Sequence, residues 1–168
     1  EYVNAWPFDY VIGSMHVIDG KDPYYEDAFP DWTAEELYRC RTAVAEFFHA
    51  PGPECVVFTL NCTQAINFVL KGVLKSGDHV VTSNLEHNAV MRPLQALQKR
   101  GVTYTEAQVV PGDNDATVDA FRKALRANTK LIVCTHVSNV FGFVLPVDKI
   151  AQLCRPRKVA FVLDASQS

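Results

Sequence analysis

A carboxylate follows an apolar run near residue 164. In the stretch KVAFVLDASQS, residues 159–163 are all apolar, which is typical of a strand buried on both faces. Asp164 comes next, and Gln167 follows three residues later. Burying a carboxylate alone is costly, so we expect Asp164 to be solvated, paired with a cation or bonded to a protonated ligand. The alternative is a helix N-cap, because Asp-x-x-Gln also matches a capping box.

A second polar group, in TLNCTQAIN, stands where an apolar run passes into a helical pattern. Asn61, Cys62 and Thr63 would open this helix, where backbone N–H groups and the positive end of the helix dipole favour an anion. The alternative is that Asn61 or Thr63 only caps the helix. The chain contains neither G-x-G-x-x-G nor G-x-x-x-x-G-K-[ST], so we expect any anion held here to be the phosphate of a smaller cofactor.

Two other segments carry polar residues with open interpretations. In SNLEHNAVMRP, the imidazole of His87 can stack on a flat ring or move a proton near neutral pH, or it can be an ordinary surface or core residue. Glu86 is interpreted as a charge in the first turn of the following helix. In HVSNVFG, Asn139 either offers its amide to a ligand oxygen or forms a turn with Gly142.

The composition limits the class of protein. The chain has 168 residues, of which 48% are hydrophobic and 21% charged, with a formal net charge of −3. This is typical of one globular domain that buries about two thirds of its unfolded surface. There is no basic patch for nucleic acid or for a membrane surface. The first twenty residues match no signal peptide, and no apolar run reaches the roughly 20 residues that span a bilayer.

The cysteines favour a reducing compartment. Five are scattered without a C-x-x-C pair, so neither a disulfide framework nor a zinc site is indicated. Buried cysteines of this kind usually act as small hydrophobic residues, and we assign none of the five as a nucleophile. We expect a soluble, cytoplasmic protein without a metal, a membrane partner or a nucleic-acid partner.

The elements that must position these residues follow from the hydrophobic pattern. Residues 1–33 lack a clear period and are predicted to be an irregular N-terminal arm. Thr33 and Glu36 match a capping box at the start of a helix. From there the pattern predicts helices over residues 34–49, 63–75, 89–100, 117–127 and 147–155, and strands over residues 55–60, 79–83, 102–110, 130–137 and 158–163.

This alternation predicts an α/β fold in which a mostly parallel sheet lies between two layers of helices, a three-layer sandwich. Ligands bind at the carboxyl ends of the strands in such sheets. LNCTQ, SNLEHN, THVSNVFG and DASQ follow four of the five predicted strands. We therefore expect these four polar segments to converge on one edge of the sheet.

These segments also resemble a known family. Between Tyr38 and Ser168, the blocks YRCRTAVAEFFHA, VVFTLNCTQAINFVLKG, GDHVVTSNLEHNAVMRPL, THVSNVFGFVLPVDKIAQLC and FVLDASQS occur in the order and spacing of the class V aminotransferases. The resemblance is closest to the cysteine desulfurase and selenocysteine lyase branch. It implies the large domain of a fold type I pyridoxal-phosphate (PLP) transferase, partial over residues 34–168 and incomplete at its C-terminus.

The resemblance implies roles for residues at the strand ends. Cys62 and Thr63 match family positions whose backbone and hydroxyl group hold the phosphate of pyridoxal 5'-phosphate. His87 matches the histidine that stacks on the pyridine ring, and it is the candidate catalytic residue. The resemblance makes Asn4 and Ala5 weak candidates for the substrate side.

Three more residues match positions around the ring of the cofactor. Asn139 and Gln167 match residues near its phenolic oxygen, and Asp164 matches the aspartate paired with its pyridine nitrogen. A carboxylate there keeps the nitrogen protonated, so that the ring accepts the electrons released when a bond to the substrate's α-carbon breaks. The implied activity is removal of sulfur from L-cysteine, leaving alanine and a persulfide on the enzyme.

The sequence departs from the family pattern in two respects. Leu60, Asn61 and Gln64 stand where many relatives have a small glycine-containing turn and an acid. The lysine that forms the Schiff base with the cofactor follows the aspartate by about one further βα step in the family, and the 168 residues end before that step. We therefore expect the N-terminal portion of a homodimeric enzyme, inactive alone, whose nucleophilic cysteine and Schiff-base lysine lie outside this chain and which passes sulfur to an acceptor protein.

Two alternatives to a desulfurase remain open. The longer protein that contains this chain could be another class V aminotransferase or lyase, since the family shares the cofactor residues and differs in those that select the substrate. A third possibility is a non-catalytic module that binds a phosphate ligand or a partner protein.

Overall fold

A computed structural model describes residues 10–13 and 33–168, with side chains from residue 33 onward. The predictions for Asn4, Ala5 and most of the N-terminal arm lie outside the described residues. The described chain divides into two compact units, one containing residues 33–59 and the other containing residues 10–13 and 60–168. No helix in the described part of the chain is both long and apolar enough to cross a membrane.

The first unit is built on the predicted N-terminal helix. Helix α1 spans Ala34–Phe47, and its capping box is confirmed. The backbone N–H of Glu36 donates to Thr33 Oγ1 at 3.2 Å, while the N–H of Thr33 donates to Glu36 Oε2 at 2.8 Å. Arg41 then donates from Nε to the carbonyl of Pro53 at 2.8 Å, which joins the helix to the segment after it.

The strand predicted over residues 55–60 is wrong. Pro53–Cys55 instead forms a 3₁₀ turn with proline in its first turn, and residues 56–60 are not assigned to any strand or helix. The side chains of Val57 and Leu60 are 73% and 80% exposed, so this apolar run is not a buried strand.

The second unit contains a parallel sheet. Its strands are β1 (Tyr10–Gly13), β2 (His79–Ser83), β3 (Thr103–Ala107), β4 (Thr129–Thr135) and β5 (Ala160–Ala165). Its helices are α2 (Cys62–Val73), α3 (Asn88–Gln98), α4 (Asn114–Ala124) and α5 (Val147–Cys154). The described strands lie in the order β1-β5-β4-β2-β3, and every neighbouring pair is parallel.

Helices cover both faces of this sheet. On one face, Val80 and Leu131 pack against residues of α2 and α3 such as Leu70. On the other face, Ile132 packs with residues of α4 and α5 such as Phe121. The alternation of neighbouring residues such as Leu131 and Ile132 between the two cores follows from the period of a strand. The three-layer α/β sandwich with a parallel sheet is confirmed.

Strand β1 corrects one part of the prediction for the N-terminal arm. Residues 1–33 were expected to be irregular, yet Tyr10–Gly13 pairs with β5, with Ile12 beside Asp164. Four residues are too few to show a period amid aromatic and proline residues, so the pattern did not reveal this strand. The division into an arm of residues 1–33 and a partial domain of residues 34–168 stays a prediction.

Candidate functional site

The candidate site lies at the carboxyl edge of the sheet. Because β2, β4 and β5 are parallel neighbours in the sheet, their last residues end at the same edge. The chain leaves this edge as residues 84–87 after β2, residues 136–139 after β4 and residues 166–168 after β5. Three of the four predicted polar segments therefore follow strands that end together.

Asp164 lies inside β5 and is only 5% exposed. Its Oδ1 accepts the backbone N–H of Ser166 at 3.1 Å and also bonds the Ser166 hydroxyl group. A carboxylate bonded to the backbone two residues later is the arrangement of an Asx turn. Asp164, the second-last residue of β5, therefore shapes the turn after the strand. Its side chain makes no hydrogen bond to Gln167.

Ser166 also joins Asp164 to the start of helix α2. Its Oγ lies 2.8 Å from the Sγ of Cys62, the first residue of that helix. Burial is the main cause that raises the pKa of the Cys62 thiol, and the charge of Asp164 raises it further, whereas the bond to Ser166 lowers it. Cys62 is thus a protonated thiol near neutral pH. Through its contact with Ser166, the fourth polar segment, LNCTQ, also reaches the end of β5.

The local sequence around Asn61 explains how α2 begins. Asn61 is its N-cap, and Asn61 Oδ1 accepts the N–H of Gln64 at 2.9 Å. The side chain of Gln64 returns to accept the N–H of Leu60 at 2.7 Å. The capping interpretation is therefore confirmed for Asn61. The cap is formed by Leu60, Asn61 and Gln64, the three residues that depart from the family pattern. Thr63, in the first turn of α2, is exposed.

His87 is exposed and caps helix α3. Its Nδ1 accepts the N–H of Ala89 at 3.1 Å, so that in the neutral imidazole the proton lies on Nε2. The capping bond restrains the ring at the edge where β2 ends. This geometry is compatible with stacking on a flat ligand.

Glu86 is a residue of this edge that the sequence interpretation missed. It was expected in the first turn of a helix, but α3 begins at Asn88 and the carboxyl group of Glu86 is buried. Glu86 Oε1 accepts the hydroxyl of Ser83 at 2.5 Å and the N–H of Thr135 at 2.9 Å. Burial raises the pKa of Glu86 to about 7, with a smaller contribution from the charge of Asp164, while hydrogen bonds from Ser83 and Thr135 lower it.

Asn139 and Gln167 are both exposed, and the structure gives neither side chain a hydrogen bond within the described chain. The turn at Asn139 is held instead by Ser138, whose carbonyl accepts the N–H of Gly142 at 2.9 Å. Gly142 has a φ of 67°, a backbone conformation that favours glycine. The turn interpretation of this loop is thus confirmed, without a bond from Asn139 itself.

Two lysines, Lys130 and Lys158, stand at the beginnings of strands, whereas Lys149 lies in the first turn of α5 and pairs with an acid. Lys130 is exposed at the beginning of β4, and Lys158 is exposed just before β5. Lys149 donates from Nζ to Asp115 at 2.8 Å. Within residues 33–168, the structure also contains no cluster of three or more His, Cys, Asp or Glu residues suited to a metal ion.

Comparison with known proteins identifies related enzymes. The chain is 37% identical over 147 residues to the cysteine desulfurase IscS of Shewanella loihica and 35% identical over 144 residues to that of Vibrio atlanticus. Each alignment covers 82% of this chain and 35% of the relative. The chain therefore spans about a third of the length of these curated relatives.

Solved structures show the same fold. The apo cysteine desulfurase of Thermococcus onnurineus matches with a TM-score of 0.70 and 29% identity, covering 80% of this chain and 34% of that one. The complex of the cystine C-S lyase C-DES with cysteine persulfide matches with a TM-score of 0.70 and 28% identity, covering 83% and 40%. The sequence model of the family Aminotransferase class-V matches residues 29–168. With its parallel sheet and its buried aspartate at the end of β5, the chain belongs to the class V aminotransferase family.

Proposed function

We propose that this chain forms the cofactor-binding part of a pyridoxal 5'-phosphate-dependent cysteine desulfurase. The observation that carries the proposal is the buried carboxylate of Asp164 at the end of β5, oriented by Ser166. The relatives in the IscS group, whose names state this activity, support the choice of reaction. Because the chain covers only a third of those relatives, the activity belongs to the protein that contains it.

The residues at the edge fit this cofactor. Oδ1 of Asp164 is occupied by Ser166, whereas Oδ2 accepts no hydrogen bond from the described residues and can bond a protonated ring nitrogen. The first turn of α2 meets the same edge through Cys62, and the N-terminus of a helix suits a phosphate. His87 provides an exposed imidazole at the end of β2 for the face of a ring.

Each residue then has a defined task. Bound PLP supplies an electron sink for the bonds to the substrate's α-carbon. Asp164 holds a proton on the ring nitrogen, and a buried carboxylate does so strongly because little water screens its charge. His87 orients the ring by stacking and can carry a proton, and Cys62 with Thr63 holds the phosphate through backbone N–H groups and a hydroxyl group.

We assign Asn139 and Gln167 to the ring's phenolic oxygen. Both side chains are exposed, follow strands that end at this edge, and make no hydrogen bond within the described residues, so their amides remain available. Covalent attachment of the cofactor would use a lysine outside these 168 residues, since Lys130 and Lys158 stand at the beginnings of strands and Lys149 is paired with Asp115. Alone, the chain would bind the cofactor without turnover.

A direct test uses the protein that contains this chain. Purified with PLP, it should absorb in the visible range and convert L-cysteine to alanine and sulfide when a reductant is present. Asp164→Asn should lower turnover by a hundredfold or more, about 3 kcal/mol of transition-state stabilisation. Asp148→Asn, which removes a carboxylate on α5, is the matched control and should keep full activity.

The other outcomes discriminate between the alternatives. Amino transfer to a keto acid without sulfide would show a different class V reaction. Absence of any PLP absorbance would favour a module without catalysis. Unimpaired turnover in Asp164→Asn would contradict the role of the carboxylate.

We also propose a cytoplasmic homodimer that hands sulfur to an acceptor protein. In the loop after β4, Val140, Phe141 and Val144 are 72%, 61% and 59% exposed, which supports an interface on this face. The scattered cysteines support a reducing compartment. Light scattering on the purified protein should give twice the mass of its chain, and a monomer would contradict the dimer.

A further inference from the structure

Glu86 occupies an unusual position for an acid. It lies in the short segment between Ser83, which ends β2, and His87, which caps α3. Its Oε2 is buried and has no hydrogen-bond partner in the described structure. Neither the cap of α3 nor an ion pair explains why a carboxyl group is kept there.

The contacts of Glu86 connect the two sides of the proposed cofactor site. Oε1 accepts the hydroxyl of Ser83 at 2.5 Å and the backbone N–H of Thr135 at 2.9 Å. Thr135 is the residue of β4 in register with Asp164 of β5. One carboxyl oxygen therefore ties the segment that carries His87 to the strand adjacent to Asp164.

The charges around Glu86 favour its neutral form. Among the described residues, the titratable groups whose charges interact with it are Asp164 and Cys134, both of which are anionic when ionised. Burial raises the pKa of Glu86 to about 7 and raises that of Cys134 well above its usual value, so Cys134 stays neutral. Glu86 thus changes charge near neutral pH, whereas its neighbour Cys134 does not.

We propose that Glu86 is a positioning residue of the cofactor site: its carboxyl group joins the turn that carries His87 to the strand beside Asp164, and its proton determines whether Asp164 has a negative neighbour. This inference rests on the proposed binding of PLP. When Glu86 ionises, the added negative charge favours a protonated ring nitrogen, which strengthens the bond to Asp164. When Glu86 is neutral, Asp164 is the one negative charge among the described residues that keeps the ring nitrogen protonated.

The first experiment needs no cofactor. Infrared spectra of the cofactor-free protein, recorded through a pH titration, should contain the C=O band of a protonated carboxyl group that disappears around pH 7. Glu86→Gln should remove this band. Glu106→Gln, which changes an exposed glutamate on β3, should keep it. Persistence of the band in Glu86→Gln would overturn the protonation.

The second experiment measures the dissociation constant of PLP by fluorescence. Near pH 5.5, wild type and Glu86→Gln should bind within about twofold, because both have a neutral side chain that accepts from Thr135. Near pH 8.5, wild type should bind about fivefold more tightly, since only it gains the charge. Equal dissociation constants at both pH values would overturn the electrostatic role.

A third variant tests the hydrogen bond between Glu86 and Thr135 separately from the charge of Glu86. Glu86→Ala leaves the N–H of Thr135 buried without its acceptor, so PLP should bind roughly tenfold more weakly than in Glu86→Gln at both pH values. Equal binding by the two variants would overturn the positioning role. If Glu86→Ala fails to fold, Ser83→Ala replaces it, because it removes the other donor to the same oxygen. If wild type binds no PLP, the proposed function fails. The infrared titration still tests whether the carboxyl group of Glu86 is protonated below pH 7.

Discussion

Ser166 bonds Asp164 twice. Its backbone N–H and its hydroxyl group both meet Oδ1, the N–H at 3.1 Å, so one residue of the turn after β5 fixes the direction of the carboxylate. A buried carboxylate needs such donors, because its charge is costly to desolvate. Oδ2 of Asp164 accepts no hydrogen bond from the described residues.

Ser166→Ala should weaken the binding of PLP by about fivefold, because Asp164 loses its hydroxyl donor and keeps only the backbone N–H. The change also removes the polar contact between the turn after β5 and Cys62 at the start of α2. Fluorescence titration with PLP measures the effect. Ser168→Ala is the control, since Ser168 makes only a long bond of 3.4 Å to the carbonyl of Ala165. An equal effect of both substitutions would contradict this role of Ser166.

His79 should make the stability of the fold depend on pH. Its ring is buried at the amino edge of the sheet, with Nδ1 2.9 Å from Thr129 Oγ1 and Nε2 2.9 Å from Thr105 Oγ1. Burial, and to a smaller extent the charge of Arg126, lowers the pKa of His79 to about 4. The folded state therefore holds His79 neutral, whereas the unfolded chain protonates it near its ordinary pKa of 6.5.

The free energy of unfolding should therefore fall as the pH is lowered. Above pH 6.5 the full contribution of His79 is present, and it is lost as the pH falls from about 6.5 to about 4, because the unfolded state binds more protons there. The loss should amount to about 2 to 3 kcal/mol. Urea unfolding at several pH values should show this slope in wild type and lose it in His79→Asn. His49→Asn, at an exposed histidine, should keep the slope, and a pH-independent difference between wild type and His79→Asn would contradict the assignment.

The cysteines should differ in their reaction with iodoacetamide. Cys55 is exposed and should react first. Cys62 is half-buried, and burial raises its pKa, so its thiolate is scarce and its alkylation slower. Cys134 is buried with a strongly raised pKa and should react only on unfolding. Mass spectrometry of timed samples gives the order.

Bound PLP provides a second comparison in the same experiment. It should slow the alkylation of Cys62, which lies in the first turn of α2, and leave the rate at Cys55 unchanged. Alkylation of Cys62 as fast as that of Cys55 would contradict the burial. Labelling of Cys62 that is insensitive to PLP would contradict the position of the phosphate.

The regular part of the fold could be predicted because its pattern is local. Helices α1 to α5 and strands β2 to β5 begin and end within three residues of their predicted bounds. The run over residues 55–60 misled the prediction, because an apolar run does not show whether a partner strand exists. In the structure, the edge of β5 is paired with Tyr10–Gly13. Pairing over such a distance in sequence leaves no local signal.

The candidate site was predictable to a similar degree. Asp164 stood out because a charge after a buried strand needs a partner, and in the structure its side chain is buried. Glu86 did not stand out, because an acid before a helix usually lies in water. What distinguishes Glu86 is a bond to Thr135, which is 49 residues away in the chain. Only the register of β2 beside β4 brings these two residues together.

A last test asks whether any of three lysines of this chain attaches the cofactor covalently. If Lys130, Lys149 and Lys158 stand away from the cofactor, reduction of the PLP-loaded protein with borohydride should attach phosphopyridoxal to none of them. Lys149 is further restrained by its bond to Asp115, which raises the pKa of Lys149 and lowers its nucleophilicity. Peptide mapping by mass spectrometry identifies the modified residue. Lys149→Arg should leave the amount of bound label unchanged, whereas loss of the label would place this lysine at the cofactor and contradict the proposed site.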